Sequence, residues 1–291
     1  MLGQARLFCF GAGYSAGAFA RLVRAEGWRV AGTCRTAGKQ AALAAEGFET
    51  YRFDRGQKLD ACALEGATHV LVSVPPDEQG DSVFEAHGCD LKTLPDLRWL
   101  GYLSTTGVYG DRGGDWVDED SDLRATEPRS RRRIAAENAW LGLWREARVP
   151  VHIFRLAGIY GPGRSAFDAL RSGNARRIHK PGQVFSRIHV EDIARILRAS
   201  IARPAPGTIY NICDDAPAPA DEVLAHAAAL LGQEPPPLVP IERAALSEMA
   251  ASFYRDNRRV RNARVKNELG IALLYPDYRR GLAAILAAER G

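Results

Sequence analysis

The chain has 291 residues, 46% hydrophobic and 25% charged, with 39 basic and 35 acidic side chains for a net charge of +4. That length and balance describe a globular protein able to bury a substantial core, and exclude an intrinsically disordered chain. So small a positive excess gives no argument for a nucleic-acid or membrane-surface partner, and five cysteines without CxxC spacing argue against a disulfide framework or a zinc site and for a reducing compartment.

The first segment, residues 6–10, is a short apolar strand that runs directly into glycines. No signal peptide and no apolar stretch of about 18 residues is visible, so the expected location is cytoplasmic. From Ala16 onward Phe19, Ala20 and Val23 recur at helical spacing. Residues 29–34 read as a second strand, 37–46 as an alanine-rich helix and 48–53 as a third strand. Continuous apolar runs follow at 69–74 (stopped by Pro75 and Pro76), 98–104 and 149–156. Apolar runs bounded by turn residues and separated by helices are the pattern of buried parallel strands in a doubly wound α/β sheet.

Beyond residue 157 the texture changes. GIYGPGRS reads as a loop, 175–190 as basic and irregular, 191–202 as an amphipathic helix and 209–213 as a short strand, with proline-rich turns at 216–219 and 235–237. The expected organisation is a Rossmann-type dinucleotide-binding domain over 1–156 and a smaller, mostly helical substrate lobe over 157–291, with pieces of the second half returning to the first.

Between the first strand and helix, Gly11-Ala12-Gly13-Tyr14-Ser15-Ala16 fits GxGxxA. Gly11 allows the tight turn, Gly13 lets a pyrophosphate approach the backbone, and the small Ala16 permits close helix–strand packing; Tyr14 and Ser15, at the helix start, are expected to contact the cofactor. An NAD site normally places an acid at the end of the second strand, to grip the ribose 2′-hydroxyl. No acid lies between Arg29 and Thr36. Arg35, assisted by Thr33 or Thr36, is instead suited to a 2′-phosphate, so NADP is expected over NAD. Asp54 and Ser73, at the ends of later strands, are further candidates for cofactor contact.

Four more segments occur in order along the chain: Leu103-Ser104-Thr105-Thr106-Gly107-Val108-Tyr109-Gly110, Arg155 to Arg164 with Tyr160-Gly161-Pro162-Gly163, Ile188-His189-Val190-Glu191-Asp192-Ile193-Ala194, and Tyr210-Asn211-Ile212-Cys213-Asp214. With the glycine loop, they resemble the extended short-chain dehydrogenase/reductase superfamily, the NAD-dependent epimerases and dehydratases of nucleotide sugars. The resemblance implies a small-molecule substrate, anionic or nucleotide-linked, and a hydroxyl at Thr105, with Thr106 beside it, on the substrate's reacting oxygen. It also implies that Arg164 approaches a substrate phosphate, that His189 and Tyr109 lie near the substrate, and that the protein can form a homodimer through the helix that follows Pro128, where Ile134, Ala135, Trp140, Leu141 and Trp144 offer an apolar face.

The chain departs from the superfamily at its acid/base pair, Y-x-x-x-K. Alignment on Pro128 and Glu137 puts Arg129 in place of the tyrosine and Arg133 in place of the lysine, and the chain holds no tyrosine between Tyr109 and Tyr160 and no lysine between Lys92 and Lys180. Arginine stays protonated in proteins, so Arg129 cannot shuttle a proton, whereas Arg133 can still hold a ribose or phosphate oxygen. The chain therefore resembles the atypical members of the superfamily. Two functions follow as expectations: an oxidoreductase-type enzyme with a different acid, or a non-catalytic NADP(H)-binding sensor.

Overall fold

A computed structural model describes residues 5–290. In chain order it holds β1 (Arg6–Phe10), α1 (Tyr14–Ala25), β2 (Arg29–Cys34), α2 (Ala37–Ala45), β3 (Glu49–Arg52), β4 (His69–Val72), α3 (Ser82–Lys92), β5 (Trp99–Thr105), β6 (Trp116–Val117) and α4 (Pro128–Ala147). These are followed by β7 (Val151–Leu156), β8 (Gly158–Tyr160), α5 (Ala166–Arg171), β9 (Arg177–His179), β10 (Arg187–His189), α6 (Val190–Ala202) and β11 (Ile209–Ile212). The remainder is α7 (Ala220–Leu230), β12 (Leu238–Pro240), α8 (Glu248–Arg255), β13 (Arg259–Val260), α9 (Ala263–Leu269) and α10 (Tyr278–Arg290).

Seven strands form one parallel sheet in the order β11-β7-β5-β4-β1-β2-β3. This is a Rossmann-type α/β sheet. The order reverses at β1, which pairs with β2 on one side (Cys9 opposite Gly32) and β4 on the other (Phe10 opposite Val72). In open parallel sheets, ligands bind beyond the carboxyl ends of the strands at such a switch point. β1, β4 and β7 are buried along their whole length, which explains why they read as unbroken apolar runs.

The chain divides into two compact units. The first takes the chain up to Thr105, Pro128–Arg155 and Ile193–Tyr210; the second takes Thr106–Glu127, Leu156–Asp192 and the chain from Asn211 on. Each is thus assembled from three stretches, so most of α6 and the start of β11 belong with the first unit, and residues 106–127 with the second.

The core of the first unit gathers Phe8, Phe10, Val70, Val72, Leu100, Tyr102, Trp140, Val151 and Ile153, all fully buried. α4 contributes Trp140, whose ring stacks on Tyr102 at 5.9 Å and whose Nε1 donates to Asp81 Oδ2 at 2.9 Å. The other oxygen of Asp81 caps α3, accepting from the amides of Val83 and Phe84. The apolar face expected on α4 is therefore spent largely inside this unit: Trp140 and Leu141 are buried in its core and Trp144 packs against it.

The second unit is built around Tyr160, Phe167, Val223, Ala227, Tyr278, Leu282 and Ile285. It is mainly helical, with three two-stranded parallel sheets, β8 with β10, β9 with β12, and β6 with β13. Two of these correct the sequence reading: the glycine-proline segment begins with a strand, Gly158–Tyr160, and the stretch 175–190 contains β9 and β10 rather than irregular chain. Strands of three residues are too short to show a two-residue period, and they form because a distant segment satisfies their backbone groups.

Candidate functional site

The turn after β1 is held by two hydroxyls. The amide of Gly11 donates to Thr33 Oγ1 at 2.7 Å, and Ser73 Oγ donates to the carbonyl of Gly11 at 2.5 Å. The amide of Ala12 donates to the carbonyl of Thr33 at 2.8 Å. Gly11 sits at φ +84°, and a Cβ placed there would lie 2.9 Å from Val74 Cγ2 and 3.0 Å from Ser73 Oγ. The turn thus needs glycine for internal reasons, both conformational and steric. Thr33 is 1% exposed, so this hydroxyl props the loop from beneath.

Gly13 is different. It caps α1 at φ −81°, an angle open to any residue, and no heavy atom lies within 4 Å of a Cβ built on it. No side chain caps this helix, and its first turn carries no acid. The start of α1 therefore offers amide donors and the positive end of a helix dipole, with clear space before Gly13. Tyr14 is half-buried and Ser15 buried in the first turn, and Ala16, 1% exposed, packs beneath. These residues suit a dinucleotide pyrophosphate.

At the end of β2, Arg35 is exposed and its guanidinium has no partner among the described residues. Its carbonyl accepts from Arg52 Nη2 at 3.3 Å, because the register of β2 and β3 sets Cys34 opposite Arg52. Arg52 is exposed too and forms no ion pair among the described residues. Two unpaired guanidinium groups thus flank the position where an NAD site carries an acid. Arg52 was missed in the sequence because only strand register brings it beside Arg35. Thr36 caps α2, accepting from the amide of Lys39 at 3.3 Å. Asp54 is exposed and accepts from the amide of Arg55.

At the end of β5, Thr105 is half-buried. One residue earlier, Ser104 Oγ donates to Glu137 Oε1 at 2.5 Å, and Arg155 donates to both oxygens of Glu137, Nη2 reaching Oε2 at 2.7 Å. The Arg155 and Glu137 side chains are 3% and 2% exposed, so this is a dry ion pair that locks α4 against the sheet. Arg133, one turn earlier on α4, donates from Nη1 to the carbonyl of Leu103 at 2.7 Å and to Tyr102 Oη at 3.0 Å. Burial holds the Tyr102 phenol above its ordinary range. Arg129 is exposed at the start of the same helix. Thr105 ends β5 two residues beyond the Leu103 carbonyl that Arg133 holds, while Gly11, Thr33 and Ser73 are joined at the switch point.

The remaining sequence candidates lie in the second unit. Thr106 is buried. Tyr109 is fully buried, and its phenol donates to Asn211 Oδ1 at 2.7 Å. His189 is 1% exposed; its Nδ1 accepts from the amide of Glu191 at 3.3 Å, and its ring packs against Tyr275 and Tyr160. Burial lowers its pKa, which favours the neutral imidazole. Arg164 is exposed and lines a pocket with Tyr160 and Arg187.

The profile of the NAD dependent epimerase/dehydratase family matches residues 91–213. A 3-diazoavenalumate denitrifying reductase of a Streptomyces species is 31% identical over 68% of each chain. Protein YeeZ of Escherichia coli K12 is 27% identical over 92% of this chain and 95% of its own. Among solved structures, a functionally unknown conserved protein of Silicibacter pomeroyi superposes with a TM-score of 0.92, at 49% identity over 98% of this chain and 99% of that one.

Proposed function

Since the chain belongs to the NAD-dependent epimerase/dehydratase family, we propose that it binds NADP(H) in preference to NAD(H) and performs oxidoreductase-type chemistry on a small anionic or nucleotide-linked substrate. The observation that carries this reading is Gly13. Its conformation and surroundings would accept a side chain, so the reason for glycine lies outside the chain, in a ligand that must reach the backbone. The preference for NADP rests on Arg35 and Arg52, two exposed cations without carboxylate partners that can grip a 2′-phosphate through charge-assisted hydrogen bonds.

The cofactor, when bound, supplies a hydride donor or acceptor. The chain's own residues supply position and polarity. The Thr105 hydroxyl, on a strand end fixed by the Ser104–Glu137–Arg155 network, would hydrogen-bond the reacting oxygen of the substrate. Arg133, already held by Leu103 and Tyr102, would hold a ribose or phosphate oxygen by charge without exchanging a proton.

A second reading, a non-catalytic NADP(H) sensor, is favoured by two observations. Arg129 cannot act as an acid at neutral pH, and the Tyr109 phenol is committed to Asn211.

Titration of the purified protein with NADPH and NADH, with Arg35→Ala alongside, tests the cofactor. Tighter binding of NADPH, lost in the variant, is expected; no binding of either nucleotide would overturn both readings. Oxidation of bound NADPH by a panel of carbonyl substrates then separates the two, and the enzyme reading requires Thr105→Val to slow the reaction while leaving NADPH affinity intact. If the panel leaves bound NADPH unoxidised, the sensor reading stands.

A further inference from the structure

The second unit contains a pocket of about 320 Å³ lined by Tyr160, Arg164, Arg187, Val223, Tyr278 and Leu282, together with the start of α5. That volume is at the lower end of the range for small-molecule sites and is too small for a dinucleotide. Two features set it apart from a packing defect. One wall is apolar, drawn from the core of the unit through Val223, Tyr278 and Leu282. The other carries a guanidinium with unused donors. Arg187 Nη1 is occupied by the carbonyls of Phe185 at 2.9 Å and Ala218 at 2.8 Å, which fixes the fork in place. Its Nε and Nη2 make no hydrogen bond, and no carboxylate forms an ion pair with it, among the described residues.

The acids nearby do not cancel this charge. Asp168 also lines the pocket, but its Oδ2 accepts from both the amide and the hydroxyl of Ser165 in the capping box of α5. Asp214 lies next to Arg187 through the backbone, its amide donating to the Arg187 carbonyl at 2.6 Å, and its Oδ2 is buried without a partner. Burial pushes the Asp214 carboxyl up to about 8, against the pull of the Arg187 charge, and no ion pair joins the two among the described residues. Arg164 adds a second cation at the rim. A positively charged, half-desolvated fork facing an apolar wall is the arrangement that recognises an anion with a hydrophobic body.

We propose that this pocket of the second unit binds a small organic carboxylate whose oxygens pair with the Arg187 fork and whose apolar body rests on Val223, Tyr278 and Leu282, which gives Arg164 a carboxylate in place of the substrate phosphate that the family resemblance implies for it.

Benzoate, benzamide, acetate and inorganic phosphate are the probes. Their affinities would be measured by calorimetry on the full-length protein, and benzoate binding mapped by amide chemical shifts. Benzoate should bind saturably and shift amides around 160–168, 187, 223 and 278–282. Benzamide, which lacks the charge, and acetate, which lacks the body, should each bind about tenfold more weakly or worse. Arg187→Gln should reduce benzoate affinity by a similar factor and the exposed Arg164→Ala by a few-fold. Because Arg187 also holds two carbonyls, the Arg164 variant and the shift map decide the matter if Arg187→Gln does not fold. Equal binding of benzoate and benzamide would overturn the proposal. So would shifts clustered away from these residues, tighter binding of phosphate than of benzoate, or both variants matching the wild type.

Discussion

The switch point at β1 and the end of β5 lie in the same unit, and they treat the superfamily pattern in opposite ways. At the switch point Gly11, Thr33 and Ser73 build a closed turn and open space lies before Gly13, the arrangement proposed to hold a dinucleotide. At the end of β5 and the start of α4 Ser104, Glu137 and Arg155 interlock, but arginines align with the superfamily's acid/base tyrosine and its lysine. Binding and proton transfer are separable demands, and here the glycine loop follows the superfamily pattern while the acid/base positions depart from it.

The sharpest way to break the comparison is to remove the scaffold beneath the altered region. Glu137→Ala removes the carboxylate that neutralises the buried Arg155 guanidinium, and should destabilise the protein by about 3–5 kcal/mol in denaturant unfolding. If it unfolds like the wild type, α4 is not locked as described. Next come the two loop glycines. Gly11→Ala forces a Cβ into Val74 at positive φ and should cost about 1–3 kcal/mol. Gly13→Ala should keep stability within about 0.5 kcal/mol of the wild type, as expected where nothing is touched, yet abolish measurable NADPH binding. A stability loss at Gly13 equal to that at Gly11 would remove the argument that Gly13 answers to a ligand.

Arg52→Ala should weaken NADPH by about tenfold, the loss of one charge-assisted hydrogen bond, and leave NADH unchanged. An equal loss for both nucleotides would place Arg52 elsewhere than at a 2′-phosphate. A pH-dependent effect comes from Asp214. Its folded-state pKa, near 8, lies above the ordinary 3.8. Between those values the folded state binds the extra proton, so stability falls as pH rises and levels off above the folded pKa. Asp214→Asn keeps the bond from the amide of Ala216 and should flatten that slope, with the gain in melting temperature growing toward pH 8.

Much of this was legible in the chain itself. Buried strands such as β4 and β7 announce themselves as apolar runs, and the glycine loop is a motif with a mechanism. Other parts depend on pairing that no local pattern encodes. Thr33 was read as facing a ligand, but it also accepts the Gly11 amide from below the loop. Arg52 looked like any charged residue until register set it beside Arg35. Strands β8 and β10 are three residues each and find one another across some thirty positions of chain, Ile159 opposite Ile188.

The strand order has a consequence for how the molecule is made on the ribosome. Strands β1 to β5 can pair among themselves once residues up to 105 have emerged, but β7 covers β5 only after residue 156, and β11 closes that edge only after residue 212. During synthesis of the intervening stretch, the buried segment VHIFRL is an open parallel edge with unpaired backbone groups, the kind of template on which nascent chains associate. A chain truncated before Ile209 should therefore accumulate as aggregate rather than as a stable shorter domain.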